Sequence, residues 1–252
     1  NSKLVPSDGK CAVIVLVGVL VSTSNVGIPN NPCGVISGND AIDIDAGSTG
    51  YGITNPGAIF GTCCTNTAIS ANSSQFNGEI VNNSGGIIGA NSVGAVATSD
   101  AISIGFTDTD STDGITNTGV ITGTDQGIAL VDGSDLTGAI TNNALGTIGT
   151  YAGITSGTVS ATTAILVFNS SSVAGGIINS GAIVGSDAAI IIGEDSSVGT
   201  AATGSAPAIA GILNNAGGVI AGGSTGVSVD DATVLGGISN SGDIVGNTIG
   251  ID

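Results

Sequence analysis

The chain has no histidine, arginine, tryptophan or methionine, and its 252 residues include only two basic ones, Lys3 and Lys10. Each absence removes a class of chemistry. Without histidine, Ser-His-Asp and Cys-His nucleophile arrangements cannot be assembled. With 19 acidic residues and a net charge of −17, the chain repels nucleic acid and anionic membranes, because phosphate binding needs Lys and Arg to displace counterions. The glycine-rich stretches lack the lysine of a phosphate loop. Aromatic residues are two Tyr and four Phe, so a core must be built from Ile, Val, Leu and Ala. Disorder is disfavoured as well, since 41% of residues are hydrophobic and recur periodically.

Long apolar runs are scarce too. Cys11–Val21 (CAVIVLVGVLV) is about half the length that spans a bilayer. It follows Lys10 and so has the look of a signal-peptide core. Its β-branched composition, and the eleven-residue step from Val17 to Ile28 that recurs between later strands, favour a first buried strand. Residues 1–26 are therefore expected to form an N-terminal Val-rich strand or cap, with Val13, Val15, Val17, Val19 and Val21 on the strand. The four cysteines, Cys11, Cys33, Cys63 and Cys64, lie in the first quarter. Four cysteines allow three pairings, and their spacing lacks the close dithiol knuckles of a zinc site. Disulfides in an oxidising, extracellular or cell-surface setting are expected, with the adjacent Cys63 and Cys64 not paired to each other.

What the chain does have is a repeat. Eight asparagines, Asn30, Asn55, Asn82, Asn117, Asn142, Asn179, Asn214 and Asn240, each have Ile two residues before them. A second apolar position follows in the form Ile-x-Gly: Ile36–Gly38, Ile59–Gly61, Ile87–Gly89, Ile121–Gly123, Ile183–Gly185, Ile220–Gly222 and Ile244–Gly246. The fifth unit departs, with Ile148 directly before Gly149. A third position alternates apolar residues with period two, as in Ala41-Ile42-Asp43-Ile44 and Ala101-Ile102-Ser103-Ile104, the pattern of a strand with one buried face. Self-similarity of this kind decides architecture before any local reading does. The expected fold is all-β, a three-sided parallel β-solenoid over 27–252 with eight or nine rungs of about 25 residues, each adding about 4.8 Å.

The Asn–Asn intervals of 25, 27, 35, 25, 37, 35 and 26 place the excess length in three corner insertions, 90–99, 150–163 and 194–208. Surface corners accommodate such additions. The invariant Asn register, with Gly57, Gly119, Gly181 and Gly242 two residues on, points to a structural ladder in which each amide bonds to the next.

Units such as GITNTGVITG (Gly114–Gly123) and GISNSGDIVG (Gly237–Gly246) resemble the β-helical repeats of bacterial autotransporter passengers and related secreted surface proteins. The resemblance covers 27 to 252 and is one of repeat style. It implies a right-handed solenoid on the cell surface or released from it.

Chemistry is sparse. Polysaccharide-cleaving β-helices combine carboxylates with basic residues that this array lacks, so a polysaccharide-processing role is a remote alternative and no catalytic residue is expected. Asp108, Asp110 and Asp113, alternating ahead of Gly114, resemble the start of a calcium loop. The closing Glu is missing, since Gly119 stands at position twelve, and a solvated turn is the alternative. No other cofactor is expected.

The final unit runs to Ile249-Gly250-Ile251-Asp252 with no polar cap. An open strand edge templates another strand, and the Val-rich strand at the other end offers one. The expected role is an extracellular structural subunit that assembles head to tail into a homopolymer, a filament or matrix, with the acidic charge opposing lateral clumping. The alternative is a monomeric adhesin or passenger fragment that presents its corner loops to a receptor or glycan.

Overall fold

The computed structural model describes residues 13–15, 27–38, 40–44, 47–61, 67–72, 75–89, 100–105, 114–153, 157–202 and 208–252. The chain is a parallel β-solenoid. Three sheets of nine, eight and eight strands run the length of the coil, each strand bonded to its counterpart one turn earlier and one turn later.

The Asn face begins at Ile28–Pro29 and continues through Ile53–Asn55, Ile80–Asn82, Ile115–Asn117, Ile140–Asn142, Ile177–Asn179 and Ile212–Asn214 to Ile238–Asn240. Its register is residue for residue: Ile80 pairs with Ile53 and Ile115, and Asn82 with Asn55 and Asn117. The Gly face runs from Val35–Gly38 to Asp243–Gly246. The long face runs from Ile42–Ile44 to Ile249–Ile251 and includes six-residue strands such as Gln126–Val131.

Alternation explains the core. Ile-x-Asn points its first and third residues inward, so Ile115 and Asn117 are both fully buried while Thr116 is only half-buried. On the long face Ile102, Ile128, Ile165 and Ile190 stack in register, each 0% exposed. Ahead of each stands Ala or Gly (Ala101, Gly127, Ala164, Ala189), because the corner there leaves little room. Complete burial of one such Ile is worth about 1.5–3 kcal/mol, and stacking like on like keeps the packing density of every turn equal.

A fourth short edge was not anticipated. Thr49–Gly50 pairs with Gln75–Phe76, and further along Asp135–Leu136, Ser172–Val173, Ser197–Val198 and Thr233–Val234 form a four-stranded sheet. Phe76, Leu136, Val173 and Val198 fill the interior from this side.

Three boundaries are corrected. In the third unit the inward residue is Ile88, not Ile87: Ile88 pairs with Ile59 and Ile121 and is fully buried, whereas Ile87 faces outward. That unit therefore matches the fifth, where Ile148 precedes Gly149, and both glycines take positive φ, 95° and 97°. A Cβ at Gly89 would strike the carbonyl oxygen of Thr122. Next, the insertion placed at 194–208 starts later, because Ser197–Val198 belongs to the regular coil. Thr200 and Ile209 close the insertion with an antiparallel bridge. Finally, the 150–163 insertion is a hairpin, Thr150–Gly153 against Gly157–Ser160, and Thr163 already begins a long-face strand. Segment 90–99 lies outside the described residues.

At the N-terminal side, Val13–Val15 pairs in parallel with Val35–Ser37 of the same chain. The expected strand exists there and extends its own Gly face. Val17, Val19 and Val21 lie outside the described residues.

The ladder generates a stability prediction. Asn142→Ala would take the ladder acceptor from the Asn117 amide and the ladder donor from the Asn179 carbonyl oxygen, both fully buried, leaving each only its backbone partners. The expected loss is about 2 kcal/mol, from the two buried hydrogen bonds removed. Asn143→Ala, which removes only a bond to the Thr118 hydroxyl at the surface, should cost under about 1 kcal/mol. Urea denaturation checks the pair, and equal losses would contradict the ladder's role.

Candidate functional site

The most ordered polar feature is the Asn ladder at the corner between the Asn and Gly faces. Seven side-chain bonds join the eight asparagines, each Nδ2 donating to the Oδ1 of the next at 2.8–2.9 Å. Asn55, Asn82, Asn117, Asn142, Asn179 and Asn214 are 0% exposed. The seven donating Nδ2 groups, Asn30 to Asn214, each also donate to a backbone carbonyl of the following turn, as Asn82 does to Val120 at 3.0 Å. The amides are thus fully used in holding the corner, which is a structural arrangement rather than a ligand cradle.

The corner alternates in length. Asn30, Asn82, Asn142 and Asn214 are followed by three residues before Gly (Gly34, Gly86, Gly146, Gly218), whereas Asn55, Asn117, Asn179 and Asn240 are followed by one. In the short turns the glycine N–H donates back to the Asn Oδ1, as from Gly57, Gly119, Gly181 and Gly242 at 3.2 Å. A Cβ at Gly119 would collide with the carbonyl oxygen of Gly86 below it. Long turns stand out as ridges on every second rung, about 9.6 Å apart at two rungs' rise. Between two ridges lies a groove of about 270 Å³ lined by Ser84, Gly85, Ile87, Thr118, Val120 and Leu145. Leu145, at a ridge tip, is 76% exposed.

Among the described residues, left-handed backbone on residues other than glycine falls at the corner after the long face, on Asp132, Asn169, Ser170, Glu194, Asp195 and Asp231. Short polar side chains tolerate that conformation. Asn169 donates to the Asp132 carboxylate at 2.7 Å, relieving one carboxylate of the acidic corner.

Just inside this corner runs a second polar ladder. The buried Ser134 and Ser171 N–H groups donate to the hydroxyls of Ser171 and Ser196. Its trace in the sequence is a serine two residues before an inward Leu or Val: Ser134 before Leu136, Ser171 before Val173, Ser196 before Val198.

Asp108, Asp110 and Asp113 lie outside the described residues, as do Cys11, Cys63 and Cys64. Cys33 is exposed at the first long turn and is a free thiol, so the expected disulfide does not involve it. Among the described residues no group of three or more His, Cys, Asp and Glu is placed to hold a metal ion, and no helix is long and apolar enough to cross a membrane.

Comparison of the chain with protein-family models, with curated proteins and with solved structures finds no match.

One carboxyl has a displaced proton affinity. Burial pushes the Asp100 carboxyl up to about 6; a hydrogen bond from the Gln126 N–H opposes this and nearby Asp125 reinforces it. Because the folded value exceeds the unfolded one, protonation favours the folded chain. The contribution is fully present below about pH 4 and is lost as pH rises through 6. Asp100→Asn should therefore be more stable than the wild type at pH 7, by about 1–2 kcal/mol after allowance for partial solvent access, and equal to it near pH 4. Thermal melts of both proteins across that range check this, and a difference independent of pH would contradict it.

Proposed function

We propose that the chain is a non-catalytic structural rod of an extracellular filament or matrix, in which rungs stack head to tail between copies. The observation that carries this reading is the polarity of the Asn ladder. Every Asn donates toward the same end of the coil, so one side of any rung offers Nδ2 and the other Oδ1. The repeat is therefore open-ended: either side of a rung accepts a further rung of the same pattern, and heterologous contacts of this kind between copies propagate into filaments. The likeness to autotransporter passengers rests on repeat style and supports the surface setting.

A second reading, presentation of loops to a receptor or glycan, is favoured by a specific observation. The hairpin Thr150–Ser160 and the Thr200–Ile209 bridge project from corners without interrupting the sheets. Their removal would abolish recognition while sparing the rod.

Electron microscopy and sedimentation of the purified chain distinguish the two. Head-to-tail stacking predicts rods whose length grows with protein concentration. A single short species at all concentrations would overturn the filament reading and leave loop presentation.

A further inference from the structure

The acidic residues are not spread evenly around the coil. Among the described residues, Asp40, Asp43, Asp100, Asp125 and Asp187 lie on the long face or the corner that enters it. Asp132, Asp135, Glu194, Asp195, Asp230 and Asp231 lie at the corner that leaves it. Only Glu79 and Asp243 fall elsewhere, apart from the terminal Asp252. The outward row of the Gly face contrasts with this. It runs in register from Val35 through Ile87 and Val120 to Val219, with Thr147 its one polar member before Asp243. Phe60 and Val184 stand half-buried beside it. A molecule of net charge −17 thus carries a largely aliphatic sheet face whose one described carboxylate is Asp243 on the last rung.

We propose that this face, together with the Asn corner beside it, is a lateral dimer interface between two copies of the chain. Three observations select a second copy as the occupant. Charge is the first: of the described acidic residues only Asp243, on the last rung, lies on this face, so two such polyanions can meet here with their acidic faces kept apart,. The corner is also self-complementary. Leu145 projects from a ridge next to a groove of about 270 Å³ whose wall holds Ile87 and Val120, which is room for one leucine side chain from a partner. A two-fold axis near this point places each Leu145 in the other's groove, an isologous contact.

Area is the third. Eight strands of two to four residues, about 4.8 Å apart, give roughly 400 Å² per partner for the sheet. The uncharged turns of the Asn corner bring this toward the roughly 800 Å² of a standard interface. A lipid surface is disfavoured as occupant because the face has no Trp, Lys or Arg to anchor it,.

This interface is independent of axial stacking. Axial contacts yield a growing series of lengths, whereas the lateral contact closes at two copies. Sedimentation equilibrium of the intact chain at physiological salt, where charge repulsion is screened, is expected to give a dimer. Leu145→Asp, on an exposed turn, should raise the dissociation constant at least about tenfold. Leu145→Ala should raise it less, and Ser228→Asp on the long face should leave it unchanged. If the chain also forms rods, Leu145→Asp should leave them half as wide in electron micrographs. A wild type without lateral pairing would overturn the proposal, as would equal effects of Leu145→Asp and Ser228→Asp. Co-sedimentation of a monomeric wild type with phosphatidylcholine vesicles would assign the face to lipid instead and overturn it as well.

Discussion

Everything in this molecule depends on one constraint: each residue must stack on a residue that can stand in its place one rung away. Parallel in-register pairing puts Ile on Ile and Asn on Asn at the spacing of a hydrogen-bonded strand,. For an aliphatic side chain this means close packing without voids. A buried amide meets a stricter condition, because its donor and acceptor both need partners in a dry interior. The ladder meets it by making each Asn the partner of the next. An Ala in the row harms two neighbours at once, while an Ile in the row tolerates Val, as Val227 above Ile190 shows.

The same constraint explains what was legible in the sequence. Ile two residues before Asn is inward, buried and paired to its own kind, so its spacing survives every insertion and can be counted directly. The fourth edge was missed because only one residue in each of its two-residue strands faces inward, and that position holds Gly, Phe, Leu or Val in different rungs. Ile87 and Ile88 could not be separated by pattern alone. Both are apolar, and only the pairing of Ile88 with Ile59 shows which one turns inward. Left-handed corners at Glu194 and Asp195 left no glycine to mark them. The alternation of long and short Asn turns was present in the spacing to the next Gly, but it is a two-rung period and emerges only when rungs are compared in pairs.

Of the site residues, the eight ladder asparagines came directly from the repeat. The groove beside Leu145 did not, since it is made by three successive rungs that are far apart in the chain: Ser84 and Ile87, then Thr118 and Val120, then Leu145. Charge segregation was hidden for a similar reason. Acidic residues look scattered along the chain, yet the coil maps eleven of the fourteen described ones onto one long face and its two flanking corners. That mapping changes the expected effect of the charge. Instead of opposing lateral association everywhere, it leaves the surface around the Asn corner nearly free of carboxylates, which is the basis of the lateral pairing proposed above.

The central claim is that the Asn side chains form a continuous, water-free ladder that registers the rungs. Hydrogen exchange of the side-chain amides, followed by nuclear magnetic resonance, reads this directly. The account predicts strong protection, approaching that of the core backbone amides, for Asn55, Asn82, Asn117, Asn142, Asn179 and Asn214, with faster exchange at the half-buried amides of Asn143 and Asn215, which bond only to a hydroxyl,. Ladder amides that exchange as fast as those two would contradict it.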